Sequence, residues 1–249
     1  MKILKKIIII LTIAITITVL VATYRGYAMY KNAINEISIE DKIKEIKAEK
    51  NYTNIEEIPE HYINAVVAVE DRRFYSHNGV DIIAIGRAIL VDIKEMKLVE
   101  GGSTITQQLA KNTYFTQKKE LVRKIAETFM AMKIEKVCSK DEIFELYVNT
   151  SYFGDGYYCI YDASQGYFDK EPIEMTLYDS TLLAGIPNAP SIYAPTKNPE
   201  LAKQRQIQVI NKMVKYSYLT QEEANNIIDW AGLIKKVVRI GDVVHSIGT

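Results

Sequence analysis

The 249 residues suffice for one folded domain with a sizeable core and a short anchor. Lysine plus arginine and aspartate plus glutamate both number 31, so the net charge is zero and the bulk charge gives no general attraction to nucleic acid. Three histidines and two cysteines, without H-E-x-x-H or C-x-x-C spacing, argue against a zinc site.

The clearest single feature is an apolar run at the N-terminus. Residues 7–24 carry no charge and are rich in Ile, Val and Leu, and the run is about as long as a bilayer crossing requires. A cleaved signal peptide fits less well, because the run is long and no A-x-A site follows it. Three lysines before the run outweigh Arg25 and Lys31 after it. This predicts a single-pass anchor over residues 1–25, with the N-terminus in the cytoplasm and the remaining chain outside.

Helical patterns account for most of the remaining chain. Residues 26–50 predict an amphipathic, charge-mixed helical stalk. Pro59 suits the first turn of the next helix, which carries three valines before Glu70. Further helices are predicted over residues 81–96, 119–137, 140–149, 162–168, 176–184, 199–216 and 221–231, and strand-like alternation is nearly confined to 235–244.

Helix starts are marked by hydroxyl residues with an acidic or amide residue three positions later. This capping-box spacing joins Thr104 to Gln107, Ser139 to Glu142, and Thr220 to Glu223. We therefore expect a mainly α fold, with one domain over residues 51–235 and a C-terminal tail over residues 236–249.

A dense polar motif, E-D-R-R-F-Y-S-H-N-G, begins at Glu70. Two carboxylates, two guanidiniums and an imidazole fall within ten residues, at the point where an apolar helix is expected to end. A carboxylate at the apolar margin of a helix can act as a general base. A buried ion pair explains the same pattern equally well, so the motif by itself leaves both interpretations open.

Two further motifs favour an anion site. In the segment G-G-S-T-I-T-Q-Q-L-A-K-N, glycines and hydroxyl residues precede the N-terminus of a predicted helix. A helix N-terminus attracts anions. Gln108, Lys111 and Asn112 share one side of that helix and offer donors. Arg123 and Glu127 are spaced i,i+4 and share a helix face. Taken separately, a capped helix with a polar solvent-facing side explains the first motif, and a surface ion pair explains the second.

Taken together and in this order, the motifs resemble those of glycosyltransferase family 51, the peptidoglycan glycosyltransferases found alone or joined to penicillin-binding transpeptidases. The resemblance covers about residues 55–230 and continues through residues 140–149, 152–156, 182–191 and 198–200. It implies a mainly α, lysozyme-like helical domain with a smaller membrane-facing lobe, behind one N-terminal transmembrane helix. It also implies a bacterial cytoplasmic membrane, with the catalytic domain on its outer face.

The resemblance further implies a substrate and a role for individual residues. The substrate is lipid II, polymerised into glycan strands with inversion and release of polyprenyl diphosphate. Glu70 is the base that takes the proton from the acceptor's 4-hydroxyl, and Glu127 is a second essential carboxylate that orients the cations or the donor. The substrate-binding residues are Lys111, Arg123 and Lys124 at the diphosphate, Thr104, Gln108 and Asn112 around it, Asp71, Phe74 and His77 near Glu70, and Arg87 as a further phosphate contact.

The chemistry of the leaving group agrees with these roles. A glycan hydrolase must protonate a poor alkoxide leaving group, whereas a diphosphate leaves as a stabilised anion and needs cations. Two alternatives stay open: a lysozyme-like glycan hydrolase or lytic transglycosylase that uses Glu70 and Glu127, and an inactive membrane-tethered scaffold that binds glycan or lipid. The predicted cations argue against the first alternative, and the intact pair of carboxylates argues against the second.

Other expectations concern the membrane, partners and cofactors. The helix over residues 81–96 is apolar on more than one face, which favours a segment that dips into the bilayer over a core helix. Expected partners are lipid II, the growing glycan strand, the membrane and other cell-wall synthesis proteins, and not nucleic acid. No cofactor is required and no metal site is expected, although Mg²⁺ or Mn²⁺ at the diphosphate is left open. Because the sequence has no S-x-x-K or K-T-G motif, we expect no transpeptidase activity.

A few positions depart from the family pattern without touching the expected catalytic set, so we expect local differences in helix packing. They are Cys159 in place of Gly, Asp162 in place of Ala, Asp169 in place of Gly, and Tyr178-Asp179 in place of Ala-Glu. For Cys138 and Cys159, free buried thiols are favoured over an extracytoplasmic disulfide.

Overall fold

The computed structural model describes residues 2–95, 102–115 and 121–228, without the side chains of residues 2 and 89–95. Every regular element within these ranges is a helix, which confirms the mainly α fold. The helices are α1 (Lys2–Glu36), α2 (Ile39–Lys47), α3 (Glu60–Glu70), α4 (Ile82–Glu95), α5 (Ile105–Tyr114), α6 (Leu121–Ile134), α7 (Lys140–Val148), α8 (Ile160–Phe168), α9 (Leu177–Leu183), α10 (Pro190–Tyr193) and α11 (Pro199–Lys215). Residues 221–228 are also helical. The predicted strand at 235–244 and the tail lie outside the described residues.

Helix α1 is longer than the anchor predicted for it. It runs without a break to Glu36, through the boundary expected at Arg25. The helix is long and apolar enough to cross a membrane. A charged residue ends an apolar run but does not end a helix. Beyond that run α1 packs against α6, where the rings of Tyr27 and Phe129 lie 5.3 Å apart. The segment 26–50 is therefore packed structure, and not the spacer that its charge pattern suggested.

The chain divides into two compact units that alternate along the sequence. The first comprises the residues up to Tyr52 together with Arg73–Thr150, and the second comprises Thr53–Arg72 together with the chain from Ser151 on. In the first unit α5 packs against α6 and α7, and in the second α3 packs against α9 and α11. The division at Tyr52 lies next to the predicted boundary at residue 51, whereas those after Arg72 and Thr150 were not expected.

The predicted helix starts are mostly confirmed, with differences that have local causes. The reciprocal bonds of the Thr104 and Thr220 boxes both form. Only half of the Ser139 box forms: its hydroxyl accepts from the Glu142 N–H over 3.2 Å, while the Glu142 carboxylate accepts from Lys47 Nζ over 2.8 Å instead. Pro59 is the residue before α3 rather than part of its first turn.

Candidate active site

The predicted base, Glu70, is the last residue of α3. Residues 65–68 are buried, so packing fixes the last turn of this helix. The Glu70 side chain is 9% exposed, and Arg205 of α11 donates from Nη2 to its Oε1 over 3.3 Å. The sequence analysis did not identify Arg205, and no local pattern points to it, because it lies 135 residues further along the chain.

Asp71 completes the end of α3. It is buried, and its N–H donates to the Val67 carbonyl over 3.1 Å, which closes the last turn. Asp71 belongs to the second unit with Glu70, whereas the rest of the motif from Arg73 on belongs to the first unit. Asp71 therefore fixes the backbone directly after the predicted base.

A buried carboxylate with two cations lies on α6. Glu127 is 1% exposed; Arg123 donates from Nη1 to its Oε1, and Lys124 Nζ lies 3.0 Å from its Oε2. Lys124 also donates to the Ser103 hydroxyl over 2.6 Å, which ties α6 to the segment before α5. A carboxylate removed from water needs such partners. The i,i+4 spacing predicted the Arg123–Glu127 contact, and the burial of Glu127 excludes a simple surface ion pair.

The two cations of this cluster differ from Glu127 in their exposure. The Arg123 side chain is 11% exposed and that of Lys124 is 43% exposed, so both reach solvent while the carboxylate between them does not. Two positive charges against one negative charge make this part of α6 net positive. The arrangement is suited to an anionic group that approaches from solvent.

The donors of the second motif lie on α5, which packs against α6. Gln108, Lys111 and Asn112 are all partly exposed, on the shared side that their spacing predicted. The first unit therefore carries a third cation, Lys111, on the helix next to Arg123 and Lys124.

Thr104 has a structural role that the predicted pocket did not anticipate. It is 1% exposed, its hydroxyl accepts from the Gln107 N–H over 3.1 Å and donates to the Gly79 carbonyl over 2.7 Å. Gln107 in turn donates from Nε2 to the Thr128 hydroxyl over 3.0 Å, which links α5 to α6. Thr104 thus fixes the start of α5 through buried hydrogen bonds.

Phe74 and His77 are also internal supports of the first unit. Phe74 is completely buried, its ring lies 6.3 Å from that of His77, and Lys140 Nζ lies 4.6 Å above it. The Gly79 N–H donates to His77 Nδ1 over 3.2 Å. Lys140 donates to the His77 carbonyl over 2.6 Å. These contacts fix the motif in place, and a complete lack of exposure excludes direct contact between Phe74 and a ligand.

An ion pair that sequence reasoning missed joins the same motif to α4. Arg73 Nε donates to Asp81 Oδ2 over 2.8 Å, and its Nη2 contacts the other carboxylate oxygen. Asp81 also accepts from the Ala84 N–H over 2.6 Å, so it caps α4. The hydrogen bond from Arg73 holds the pKa of Asp81 at about 2, against the opposing effect of burial.

Arg87, the remaining predicted phosphate contact, lies on α4 and is exposed. Ile82 and Ile83 at the start of this helix are also exposed, by 78% and 63%. The first turns of α4 therefore present a cation and two large apolar side chains to the surroundings of the first unit.

Comparison with known proteins decides the family. Residues 38–214, most of the chain, match the sequence model of a family described as transglycosylase. The chain belongs to the transglycosylase family. This confirms the resemblance drawn from the motifs, and the helices described above agree with the mainly α fold that it implied.

Relatives of this transglycosylase are penicillin-binding proteins. It is 45% identical over 185 residues to penicillin-binding protein 1A of Aquifex aeolicus, which covers 74% of this chain and 26% of that protein. It is 44% identical over 171 residues to penicillin-binding protein 1F of Bacillus subtilis, which covers 69% and 24%. A crystal structure of penicillin-binding protein 1A from Haemophilus influenzae matches 50% of this chain and 15% of that one, with 25% identity and a TM-score of 0.35. The transglycosylase chain spans about a quarter of the length of the curated relatives it matches.

The departures from the family pattern have local explanations in this transglycosylase. Asp169 ends α8 with a left-handed φ of 54°, the conformation that glycine usually supplies. Cys159 precedes α8, and its sulfur accepts from the Asp162 N–H over 3.5 Å. Asp179 completes the capping box of α9, in which its carboxylate accepts from the Thr176 N–H over 2.9 Å, and it lies 2.6 Å from Lys170 Nζ. These departures from the family pattern therefore lie at helix ends.

Both cysteines and the carboxylates bear on redox and metal chemistry. Cys138 and Cys159 are free thiols, as favoured from the sequence, but only Cys138 is fully buried and Cys159 is half-buried. Burial raises the pKa of Cys138 to about 12 and that of Cys159 to about 11, which makes both poor nucleophiles. Within the described residues, no three His, Cys, Asp or Glu side chains are grouped to hold a metal ion.

Proposed function

We propose that this transglycosylase polymerises lipid II into peptidoglycan glycan strands. The observation that carries the proposal is the cluster on α6, in which a buried Glu127 holds Arg123 and Lys124 at the edge of solvent. A diphosphate leaving group requires cations and no proton donor, and Lys111 adds a third cation on the neighbouring helix. A neutral glycan would give these three cations nothing to bind.

In the proposed reaction, Glu70 removes the proton from the 4-hydroxyl of the acceptor sugar. The acceptor oxygen forms a bond to the anomeric carbon of the growing strand, on the face opposite the diphosphate. The bond between that carbon and the diphosphate oxygen breaks, and its electron pair leaves with polyprenyl diphosphate, so the configuration inverts. Arg123, Lys124 and Lys111 stabilise the negative charge that develops on the leaving group.

The proposed site of action rests on the N-terminal helix. We infer that helix α1 anchors the chain in a membrane, and that the lysines before its apolar part keep the N-terminus in the cytoplasm, with the two units outside. We place the enzyme in the bacterial cytoplasmic membrane, with lipid II, the growing strand and other cell-wall synthesis proteins as partners. The reaction needs no cofactor in principle, and Mg²⁺ or Mn²⁺ would assist by neutralising the diphosphate.

The test is incubation of the purified full chain, in detergent or vesicles, with radiolabelled lipid II. Long glycan strands and released polyprenyl diphosphate support the proposal. Shortening of a preformed strand would support a hydrolase or lytic transglycosylase, and binding without turnover would support an inactive scaffold; either result contradicts the proposal. A parallel series with a chelator shows whether a divalent cation takes part.

The matched variant for this assay is Glu70→Gln. It keeps the size and hydrogen bonding of the side chain but removes the base, so polymerisation should fall by at least about 100-fold while the variant remains folded and lipid II binding stays close to wild type. Near-normal turnover by this variant would show that Glu70 is not the base.

A further inference from the structure

Arg205 reaches the predicted base from α11 and is held along its whole length. Its Nη2 donates to Glu70 Oε1 over 3.3 Å, its Nε donates to the Gly185 carbonyl over 3.3 Å, and its Nη1 donates to Gln208 Oε1 over 3.0 Å. The guanidinium also lies 5.8 Å from the centre of the Tyr193 ring. Every nitrogen of the guanidinium thus has a described partner in the second unit.

Gly185 makes room for this arrangement. A Cβ atom added at Gly185 would lie 2.8 Å from Cγ of Arg205, closer than side-chain carbons approach one another, while its next neighbours stay at 3.4 Å or more. Gly185 has φ −80°, a conformation open to any residue. Glycine is therefore required here by the stem of Arg205 and not by the backbone.

The burial of the pair determines what Arg205 does to Glu70. Both side chains are largely withdrawn from water, with exposures of 13% for Arg205 and 9% for Glu70. In such surroundings the ion pair between the two side chains is little screened by solvent. A planar guanidinium with three anchored nitrogens also fixes the direction of the carboxylate, which a flexible ammonium does not.

Other charged groups of the second unit are placed differently. Burial and the charge of Glu70 raise the pKa of the Tyr62 hydroxyl, which is completely buried on the same helix. The helices packed on α3 are α9, where Asp179 is paired with Lys170, and α11. The other charged groups on α11 are Glu200, Lys203, Lys212 and Lys215.

We propose that Arg205 is a positioning residue for Glu70, which orients its carboxylate for proton removal, and that Gly185 provides the space for this contact. The role rests on the proposed function, since it concerns the base of that reaction. Arg205 acts through Glu70 and does not itself contact the reacting atoms.

The first test compares Arg205→Gln and Arg205→Lys with wild type in lipid II polymerisation. We expect Arg205→Gln to lower kcat by about 10- to 100-fold with little change in KM, because the base is misplaced while the diphosphate cations are intact. Arg205→Lys should restore kcat only in part, because the ammonium lacks the planar fork.

The control is Lys203→Gln, which removes the same charge two residues earlier on α11. Lys203 makes no hydrogen bond or ion pair within the described residues, so kcat and KM should stay at wild-type values. Gly185→Ala should reproduce the kcat loss, and it should add little in an Arg205→Gln background, because both changes remove one contact. Lower stability with a normal kcat in the folded variants would make Arg205 a purely structural residue and overturn the proposal.

A second measurement separates this proposal from the proposed function. The ¹³C resonance of the labelled Glu70 side-chain carboxyl, recorded at one neutral pH, should move in Arg205→Gln and stay in place in Lys203→Gln, because only the first variant removes the donor to Oε1. An unchanged resonance in Arg205→Gln overturns the role of Arg205, whatever the activity. If wild type fails to polymerise lipid II while the resonance moves, the proposed function fails and the contact between Arg205 and Glu70 stands.

Discussion

At the scale of single residues, the described chain repeatedly pairs a buried carboxylate with cations. Each of these carboxylate side chains is less than a tenth exposed, and a carboxylate removed from water needs charged donors around it. The cations are thereby held in place before any substrate arrives, which lowers the entropy lost on binding. The pairs are Glu70 with Arg205, Asp81 with Arg73, Glu127 with Arg123 and Lys124, and Glu135 with Lys140.

Arg123 should matter both for the diphosphate and for folding. Arg123→Ala leaves the buried Glu127 with Lys124 as its remaining cation, and we expect a loss of unfolding free energy of about 2 kcal/mol. Polymerisation should fall by at least about tenfold, and Arg123→Lys should restore it only in part, because the planar fork is lost. Kinetics with lipid II and denaturant unfolding measure the two effects.

Lys133→Ala is the control for Arg123, since it removes an exposed cation from the same helix. It should leave activity and stability unchanged. Lys111→Ala, on α5, should lower use of the lipid II donor without the loss of stability. Normal polymerisation by both Arg123→Ala and Lys111→Ala would show that the diphosphate binds elsewhere.

The charge of Asp81 should stabilise the chain in a defined pH range. Arg73 lowers the pKa of Asp81 to about 2, from an ordinary value of about 3.9. The pair therefore stabilises the folded state above about pH 4, and this contribution is lost as the pH falls toward 2. Asp81→Asn keeps a side chain that can accept from the Ala84 N–H. It should lower the unfolding free energy by about 2 kcal/mol at pH 7.

Urea unfolding at pH 7 and near pH 2.5 tests the contribution of Asp81, because the difference from wild type should shrink at the lower pH. Asp141→Asn, at an exposed position, should show no difference at either pH. A deficit of Asp81→Asn that is the same at both pH values would show that the charge is not its cause.

Sequence reasoning succeeded for residues whose partners are close along the chain. The i,i+4 spacing predicted the Arg123–Glu127 contact, and the hydroxyl-x-x-amide spacing predicted the Thr104 cap. Arg205 was missed because its contact with Glu70 depends on how α11 packs against α3, which no local spacing reports.

At the scale of helices, the close approach of α1 to α6 depends on one residue. A Cβ atom added at Gly26 would lie 2.6 Å from Cγ2 of Ile125 and 2.9 Å from the Val122 carbonyl. Tyr27 and Phe129 pack beside this contact. The sequence pattern predicted both helices but not their contact, because a glycine within a helical run indicates a close approach without naming the partner.

Gly26→Ala should therefore destabilise the chain, although alanine favours a helix over glycine by up to about 1 kcal/mol. The added methyl must push α1 away from α6, at a cost of about 1–3 kcal/mol. Ile125→Ala should rescue the variant only in part, because the Val122 carbonyl still opposes the methyl. Gly86→Ala on α4, where nothing lies within 4 Å, is the control and should be neutral or stabilising. Thermal unfolding in detergent measures the stability of each variant. A Gly26→Ala variant as stable as wild type would contradict the close contact.

At the scale of the whole molecule, sequence patterns could not predict that each of the two units is built from separate segments of the chain. Periodicity predicts where helices begin and end, but the assignment of Thr53–Arg72 to the unit that resumes at Ser151 depends on long-range packing. The motif that begins at Glu70 crosses this division, so residues that are neighbours in sequence support different units. The first unit also contains α1, so we expect the predicted membrane-facing lobe to be part of the surface of this unit.

The exposed start of α4 gives that surface a testable property. Ile82 and Ile83 are 78% and 63% exposed, and apolar side chains of this size favour the acyl boundary of a bilayer over water. An environment-sensitive dye on Ile83→Cys should be quenched by lipid-borne quenchers in vesicles, whereas the same dye on Asp141→Cys, an exposed site on α7, should not. Labelling is selective because both native thiols, the buried Cys138 and the half-buried Cys159, have a raised pKa. Equal quenching at the two sites would show that α4 does not enter the membrane.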